Sequence, residues 1–420
     1  MNEAFDVLIM GGGMVGSTIA CGLAHSGLNI AVVDHSAPPA YIEDEPPHIR
    51  VSALSFASEQ VLRNVGAWQY IEKKRLCPYR RLAVNETHAK TGIAAMLPDI
   101  SNWARTEFSA DDIGKSHLGS IVENDLVQLS LHEAMQTHDS ISLFCPAKVD
   151  DIVLNGKLKQ IHLSNGDVLT SKLIIGADGA QSQLRNAATI AQYKEQYEQQ
   201  AFVCTVSYRG EQQDITWQSF TTHGPLAFLP LPDSDGKHYA SLVWYDFPTQ
   251  LERLLAQDND TLLATLQTSY PADLPPLESV IAKAKFPLFK SHAKHYVMEG
   301  LALAGDAAHT INPLAGQGVN LGFMDAAVLI ETIAQAVLND EDFSSLAVLR
   351  RYEKKRRGEN QSMMSLMDAF YYGFGSKHLP ARVARNLGLG VAQRFGFAKN
   401  KVMQYAIGAS GDLPRLAKPI

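Results

Sequence analysis

The sequence has few cysteines and no excess of positive charge, and each shortage argues against a class of protein. Four cysteines occur among 420 residues, and no two of them form a CxxC pair. This spacing argues against a disulfide-rich scaffold and a CxxC-type zinc site, so we expect reduced thiols, a cytoplasmic location and no metal. The formal net charge of −7 is opposite to the basic excess of a general nucleic-acid binder, so we expect no nucleic-acid partner.

Long apolar runs are also missing. No continuous stretch reaches the ~18 apolar residues typical of a membrane-spanning helix, so we expect any membrane contact to be peripheral. The first apolar run begins at Phe5 without a basic leader and continues directly into glycines, so we predict no signal peptide. The length of 420 residues with 46% hydrophobic content favours two domains or one elaborated domain.

A glycine motif follows the first strand-like run. Residues 11–16 read G-x-G-x-x-G, a helical stretch follows, and a second strand-like run ends at Asp34. An acid about 20 residues beyond the glycines is typical of a dinucleotide-binding βαβ unit. Gly11 permits the tight turn, Gly13 lets a pyrophosphate approach the backbone, and Gly16 lets the helix pack close to the strand. The pattern predicts a dinucleotide site and leaves FAD and NAD(P) as alternatives.

Two further acids lie where strand-like apolar runs end beside a glycine. Asp178 precedes Gly179, and Asp306 follows Gly305. Such positions lie at the carboxyl ends of strands, where open α/β sheets bind ligands. Asp306 could accept a hydrogen bond from a ribityl hydroxyl. Asp178 could contact a ligand or cap the helix that follows it.

A glycine-containing segment follows Asp306. Between Pro313 and Gly318, the chain has no side-chain bulk at Gly316 or Gly318, so its backbone could approach a flat ring. The next predicted helix would direct its positive end toward that ring, which favours negative charge there. A reduced flavin carries negative charge around N1 and O2. The segment therefore favours a flavin.

Three polar residues have two open interpretations. Arg50 could reach a phosphate or a flavin edge, or it could lie in an exposed loop. Asn124 and Gln128 lie near a predicted helix start, where they could cap the helix or contact a ligand.

Short β-rich runs separated by turn residues occupy residues 78–90 and 200–290. They predict an antiparallel sheet distinct from the Rossmann-like part. Its aromatic residues could line an apolar pocket or form the core of the sheet; they are Trp217, Phe220, Phe228, Trp244 and Tyr245.

These motifs, in this order, resemble the single-component FAD aromatic hydroxylases of the p-hydroxybenzoate hydroxylase fold, and within them the ubiquinone-biosynthesis hydroxylases. The resemblance covers nearly the whole chain. It is carried by residues 11–16 with Asp34, by 50–54, by 176–182, by 217–231 and most specifically by 305–322. The branch that it resembles most acts on a 3-methyl-6-methoxy polyprenyl benzoquinol. Another ring position of that pathway, or a small soluble phenol, is the alternative.

The resemblance implies an FAD-dependent monooxygenase that uses NAD(P)H and O2. NAD(P)H would reduce FAD, and a flavin C4a-hydroperoxide would transfer oxygen to an electron-rich ring. No catalytic acid or base is assigned, and His309 is interpreted as a structural hydrogen-bonding residue. The implied cofactor-binding residues are Gly11, Gly13, Met14, Val15, Gly16, Asp34, Arg50, Asn124, Gln128, Asp178, Gly179, Asp306, Pro313, Gly316, Gln317, Gly318, Val319 and Asn320.

The predicted fold class is mixed α/β. A Rossmann-like FAD-binding domain with a parallel sheet would comprise residues 1–75, 105–185 and 285–345. An antiparallel substrate-binding sheet would comprise 76–104 and 186–284, and C-terminal helices would occupy 346–420.

The C-terminal region is basic although the whole chain is acidic. From residue 375 onward, eight basic residues stand against Asp412 alone, and apolar residues recur every four positions from Val383 to Phe395. A basic amphipathic helix could lie on an anionic membrane, dock a protein of the quinone pathway, or pack on the body as an ordinary terminal helix. The predicted location is cytoplasmic, with peripheral contact to the inner membrane through this region.

Overall fold

A computed structural model describes residues 2–86, 106–221, 223–271, 273–312, 317–375 and 412–419. Its strands form two eight-stranded sheets and one three-stranded sheet, with α-helices packed against them. This architecture confirms the predicted mixed α/β fold class.

The strands are β1 Asn2–Met10, β2 Ile30–Val33, β3 Val51–Ser55, β4 Cys77–Tyr79, β5 Arg81–Glu86, β6 Thr106–Ser109, β7 Gly119–Glu123, β8 Ile141–Phe144, β9 Val149–Val153, β10 Lys159–Leu163, β11 Val168–Gly176, β12 Gln192–Tyr208, β13 Ile215–Phe220, β14 Pro225–Ser234, β15 Lys237–Asp246, β16 Leu277–Ala293, β17 Val297–Met298, β18 Leu301–Leu303 and β19 His309–Thr310. The α-helices are α1 Met14–Leu23, α2 Phe56–Asn64, α3 Trp68–Glu72, α4 Asn124–Met135, α5 Gln183–Ala187, α6 Pro248–Ala256, α7 Asn259–Ser269, α8 Gln317–Leu338 and α9 Leu346–Gly375.

The first sheet has a parallel centre in the order β18-β11-β1-β2-β8, and β9, β10 and β17 add antiparallel strands. Val7, Leu8 and Ile9 of β1 have no solvent exposure, as expected for a parallel strand that is covered on both faces. Residues of α1, α4, α8 and α9 complete this core.

The second sheet has the order β19-β16-β12-β15-β14-β13-β5-β6, and it is antiparallel except for the parallel pair β5 and β13. One apolar cluster joins this sheet to α6 and α7. The strand β16 continues to Ala293 and pairs with β19, so the sheet extends beyond residue 284. The domain boundaries given above stay a prediction.

One described helix is long and apolar enough to cross a membrane by length and composition alone, although no uninterrupted apolar run of ~18 residues predicted it. This helix is the part of α8 between Gly318 and Leu338, and 67% of its most apolar 18-residue stretch is buried inside the protein. Because most of this surface packs against other parts of the chain, α8 fits a core helix.

Candidate functional site

Four strand ends meet at one edge of the first sheet. The parallel register places Met10 of β1 beside Val33 of β2 and beside Gly176 of β11, and it places Gly176 beside Leu303 of β18. The segments that leave these strands carry the glycine motif and the three acids identified from the sequence. The fold therefore brings these distant motifs to one line along the sheet edge, as expected for a doubly wound α/β site.

Both backbone polar groups of Gly12, the N–H and the carbonyl oxygen, are held by side-chain hydrogen bonds. Its N–H donates to Oδ2 of Asp34 at 2.7 Å. Its carbonyl oxygen accepts hydrogen bonds from Ser17 Oγ at 2.9 Å, Gln128 Nε2 at 3.0 Å and His132 Nε2 at 2.8 Å. Asp34 and Gln128 therefore hold the glycine loop itself. His132 was missed in the sequence analysis, although its i+4 spacing from Gln128 on one helix face was a usable signal.

The glycine motif is required by close backbone contacts. A Cβ on Gly11 would lie 2.3 Å from the carbonyl oxygen of Ala177, and one on Gly16 would lie 1.9 Å from that of Gly11. Gly13 is the N-cap of α1, and as a glycine it has no side chain that could accept from the first N–H groups of the helix. No other atom lies within 4 Å of the position that a Cβ on Gly13 would take. The first N–H groups of α1, at Met14 and Val15, therefore border open space suited to an anion.

Asp178 caps the following helix, as the alternative interpretation proposed. Its Oδ2 accepts from the N–H groups of Gln183 at 2.7 Å and Leu184 at 3.1 Å. Its Oδ1 is buried and has no hydrogen-bond partner. Gly179 lies in the turn that this cap closes. Capping and ligand contact are compatible, because each uses a different carboxylate oxygen.

Asp306 lies in a 3-10 turn, Gly305–Ala307, directly after β18. Its neighbours Gly305 and Ala307 are buried, but the Asp306 side chain is exposed. Although the Asp306 side chain reaches solvent, the protein around it dehydrates the carboxyl in part and raises its pKa; Asp325 adds to that rise, while His309 and Arg50 oppose it. A carboxylate that reaches solvent within a largely buried turn is accessible to a ligand.

Arg50 is exposed and borders a cleft of about 580 Å³. The cleft is lined by residues 45–50, Asp125, Ile281 and Ala282. The carbonyl oxygen of Arg50 accepts a hydrogen bond from the N–H of Asn124 at 3.0 Å. The Asn124 side chain accepts another through Oδ1, from Ser52 Oγ at 2.6 Å. Arg50 is close enough to Asp306 to oppose the rise in the pKa of its carboxyl, whereas the side chain of Asn124 bonds to Ser52 of β3.

A buried ion pair holds the loop that leads to Arg50. Arg75 donates through Nε and Nη2 to both oxygens of Glu123, at 2.7 and 2.8 Å. Its Nη1 donates to the carbonyl oxygen of Glu45 at 2.5 Å, and the N–H of His48 donates to Glu123 at 2.8 Å. No sequence motif linked these residues, because the pairing exists only in the tertiary structure.

The segment before α8 is only partly described. Pro313 and Gly316 lie outside the described residues, and Gln317 begins α8. Gly318 and Val319 lie in the first turn of α8. Asn320 Oδ1 accepts from the Ser55 N–H at 2.9 Å and from Ser58 Oγ at 2.7 Å. The Asn320 side chain therefore ties the start of α8 to the start of α2.

The aromatic residues of the second sheet separate into two groups. Trp217 and Phe228 pack in the core formed with α6 and α7, and Trp244 packs against it. Tyr245 instead packs in a cluster with Ile311, Leu321 and Met367, which flank the segment after Asp306. Of these four aromatic residues, Tyr245 lies toward the site.

The arrangement fits an extended dinucleotide such as FAD. The open face at Gly13 suits a phosphate, the buried Asp178 oxygen lacks a partner, and the exposed Asp306 carboxylate suits a hydroxyl donor. These three features lie along one sheet edge.

Comparison with known proteins gives the same cofactor. A family model described as FAD binding domain matches residues 4–366. The chain is 39% identical over 407 residues to the 3-demethoxyubiquinol 3-hydroxylase of Escherichia coli (strain K12), covering 97% of this chain and 99% of the relative. It is 31% identical over 422 residues to the ubiquinone hydroxylase UbiL of Rhodospirillum rubrum, covering 100% and 94%. The solved structure of p-nitrophenol 4-monooxygenase PnpA from Pseudomonas putida DLL-E4 has a TM-score of 0.74 at 17% identity, covering 96% and 98%, which shows a shared fold.

Proposed function

Because the chain belongs to the FAD binding domain family and, within it, to the FAD-dependent monooxygenases of ubiquinone biosynthesis, we propose that it hydroxylates the ring of a polyprenylated quinol. The specific substrate that we propose is a 3-methyl-6-methoxy polyprenyl benzoquinol. The observation that carries the proposal is the 39% identity, over almost the full length of both chains, to a relative named for hydroxylation of a demethoxyubiquinol.

The residues at the sheet edge would hold FAD along its length. Asp34 would accept from the adenosine ribose, and the N–H groups after Gly13 would contact the pyrophosphate. Asp306 would accept from the ribityl chain. Bound FAD would supply electron transfer from NAD(P)H and activation of O2 for oxygen insertion. NAD(P)H is proposed as the co-substrate by family analogy.

The rest of the chain would orient the ring and exclude water. The cluster of Tyr245, Ile311, Leu321 and Met367 is largely buried and lies between the second sheet, the start of α8 and α9. An apolar wall at this place would suit an aromatic ring and would keep bulk water from the reacting oxygen.

Mass spectrometry of lipid extracts tests the proposed step. A strain that lacks the gene should accumulate the precursor that lacks the new hydroxyl group, and wild-type gene supplied on a plasmid should restore the mature quinone. A gene that carries Asp306→Ala should restore less of the mature quinone, because FAD occupancy of the variant would fall. A normal quinone profile in the deletion strain would overturn the proposal.

Hydroxylation at another ring position is the second candidate, favoured by the 31% identity to a relative named ubiquinone hydroxylase. The mass of the accumulated precursor separates the two candidates. The two hydroxylation steps act on rings that carry different sets of substituents, so the precursors that accumulate have different masses. Product formation from soluble phenols, without lipid and with tightly coupled NAD(P)H oxidation, would instead support a soluble phenol as the substrate.

We also propose that the basic region from residue 375 onward contacts the inner-membrane surface. Its surplus of positive charge suits anionic lipid, and a polyprenylated substrate resides in membrane. The protein should sediment with phosphatidylglycerol-containing vesicles but not with pure phosphatidylcholine vesicles. Replacing Arg382, Arg385, Lys399 and Lys401 with glutamine should abolish sedimentation. Binding unaffected by these changes would overturn this proposal.

A further inference from the structure

We propose that Asp325, in the middle of α8, is a positioning residue for FAD, because its carboxylate holds the turn that presents Asp306. Asp325 itself has no solvent exposure and so does not reach a ligand in this structure. The inference concerns the cofactor site, and it is independent of which ring substrate the protein uses.

The two oxygens of Asp325 face different parts of the fold. Oδ2 accepts from the Gly305 N–H at 3.1 Å and from His309 Nε2 at 2.5 Å. Oδ1 accepts from Arg356 Nε at 2.8 Å and from Asn360 Nδ2 at 3.0 Å. One oxygen therefore binds both ends of the turn around Asp306, and the other binds α9.

The charges around Asp325 keep it ionised. Burial alone would raise the pKa of its carboxyl, but His309 and Arg356 hold that pKa well below its usual range. Arg356 is 3% exposed, and its Nη2 donates to Asn360 Oδ1 at 2.7 Å. Arg356 and Asn360 of α9 therefore bind each other and also bind the Asp325 carboxylate.

The turn has little freedom to move away from this anchor. His309 is 2% exposed, and its ring is stacked on Tyr296 at a centroid distance of 5.9 Å. A Cβ on Gly305 would lie 3.0 Å from Val15 Cγ2 of α1, the helix whose N-terminus borders the open face at Gly13. The Asp325 anchor thus fixes Asp306 relative to the proposed phosphate-binding end of the site.

Net stability is a weak explanation for a buried cluster of this kind. Replacing buried ion pairs with well-packed apolar groups is often neutral or stabilising, because desolvation offsets the Coulomb attraction. Binding groups, in contrast, depend on support that holds them within a fraction of an ångström of their productive position. One oxygen of the Asp325 carboxylate binds the turn and the other binds α9, which fits a role in holding a binding group in position.

FAD affinity of the apoprotein tests the inference. Asp325→Asn keeps the side-chain shape but replaces one acceptor oxygen with a donor that faces other donors. We expect its FAD dissociation constant to rise at least about tenfold, which corresponds to about 1.4 kcal/mol of binding free energy. The constant is measured by fluorescence titration well below the unfolding temperature of each variant, and unfolding of the apoprotein is measured separately.

Tyr352→Phe is the matched control. Its hydroxyl donates to the Leu303 carbonyl oxygen at 2.8 Å, so the change removes a buried hydrogen bond between α9 and the strand before the turn but spares Asp325. We expect lower stability with FAD affinity within about twofold of wild type. Asp325→Asn with wild-type affinity, or Tyr352→Phe with an equal loss, would overturn the inference.

A pair of variants at His309 tests the same point if Asp325→Asn does not fold. His309→Gln retains an N–H donor, whereas His309→Phe retains an aromatic ring over Tyr296 and loses the donor. The inference requires weaker FAD binding by His309→Phe than by His309→Gln. Equal affinities would show that the bond to Asp325 does not position the turn.

Discussion

The guanidinium of Arg185 donates a hydrogen bond to the carbonyl oxygen of Ala307, 2.9 Å away. Arg185 also donates to the Ala180 carbonyl oxygen at 3.0 Å, so one side chain joins the turn after Asp178 to the turn that contains Asp306. It is 2% exposed, and burial lowers its pKa from the ordinary value.

We expect Arg185→Met to destabilise the apoprotein and weaken FAD binding, because it leaves the buried Ala307 carbonyl oxygen and the Ala180 carbonyl oxygen without these donors. An unsatisfied buried acceptor costs about 1–3 kcal/mol, measurable by urea unfolding. Arg209→Met is the control, since its side chain is 73% exposed and forms only a surface pair with Glu278. Equal stability of the two variants would contradict this account of Arg185.

Asp306→Ala should lower FAD occupancy. A hydrogen bond to a charged group contributes about 1.5–3 kcal/mol, so the dissociation constant should rise by roughly 10–100-fold. Absorbance of the purified protein gives the occupancy, and titration of the apoprotein gives the constant. Asp139→Ala, at an exposed position after α4, serves as the control. Full FAD occupancy in Asp306→Ala would mean that the interpretation of this motif is wrong.

Gly11→Ala should prevent formation of the glycine loop. Gly11 has φ +100°, and a Cβ there would lie 2.3 Å from the Ala177 carbonyl oxygen. Gly27→Ala is a close comparison, because Gly27 has φ +78° but no atom within 4 Å of its Cβ position. We expect Gly27→Ala to yield folded FAD-bound protein and Gly11→Ala to yield little. Similar yields of flavin-loaded protein would contradict the steric argument.

Stability should decrease as the pH falls from about 6.5 to 4. Burial, together with His309 and Arg357, lowers the pKa of His292 to about 4, and Asp325 opposes the shift. The unfolded chain takes up this proton near pH 6.5, before the folded protein does, so acidification in this range favours unfolding.

His292→Gln should remove that contribution, so its unfolding free energy should fall less steeply than that of wild type. Urea unfolding of both proteins at roughly pH 8, 7, 6 and 5 measures the difference. The two curves should run parallel above pH 7, where neither state is protonated at this residue. Parallel curves across the whole range would show that His292 takes up its proton equally in both states.

The sequence predicted those parts of the site that follow from local pattern. Asp34 and Asp306 were identified because each follows an apolar strand-like run, and parallel strands align such ends at one edge. The glycines were identified because their spacing reflects contacts within a single βαβ unit. The fold class followed from the same alternation of strands and helices.

The remainder depends on contacts between residues far apart in the chain. Nothing in the sequence links Arg185 to Ala307, or Asp325 to Arg356, because these pairs form only after α5, α8 and α9 have packed. Asn320 lies inside a recognised motif, yet its amide bonds to the start of α2. A motif match located this residue, but the structure was needed to find its partners.

The two large sheets are joined twice at the same edge. Only residues 304–308 separate β18 of the first sheet from β19 of the second, and only residues 294–296 separate β16 of the second from β17 of the first. The N–H of Ala293 also donates to the Ala308 carbonyl oxygen at 2.8 Å. The turn that presents Asp306 is therefore also a covalent link between the two sheets, so the position of its carboxylate depends on how both sheets pack.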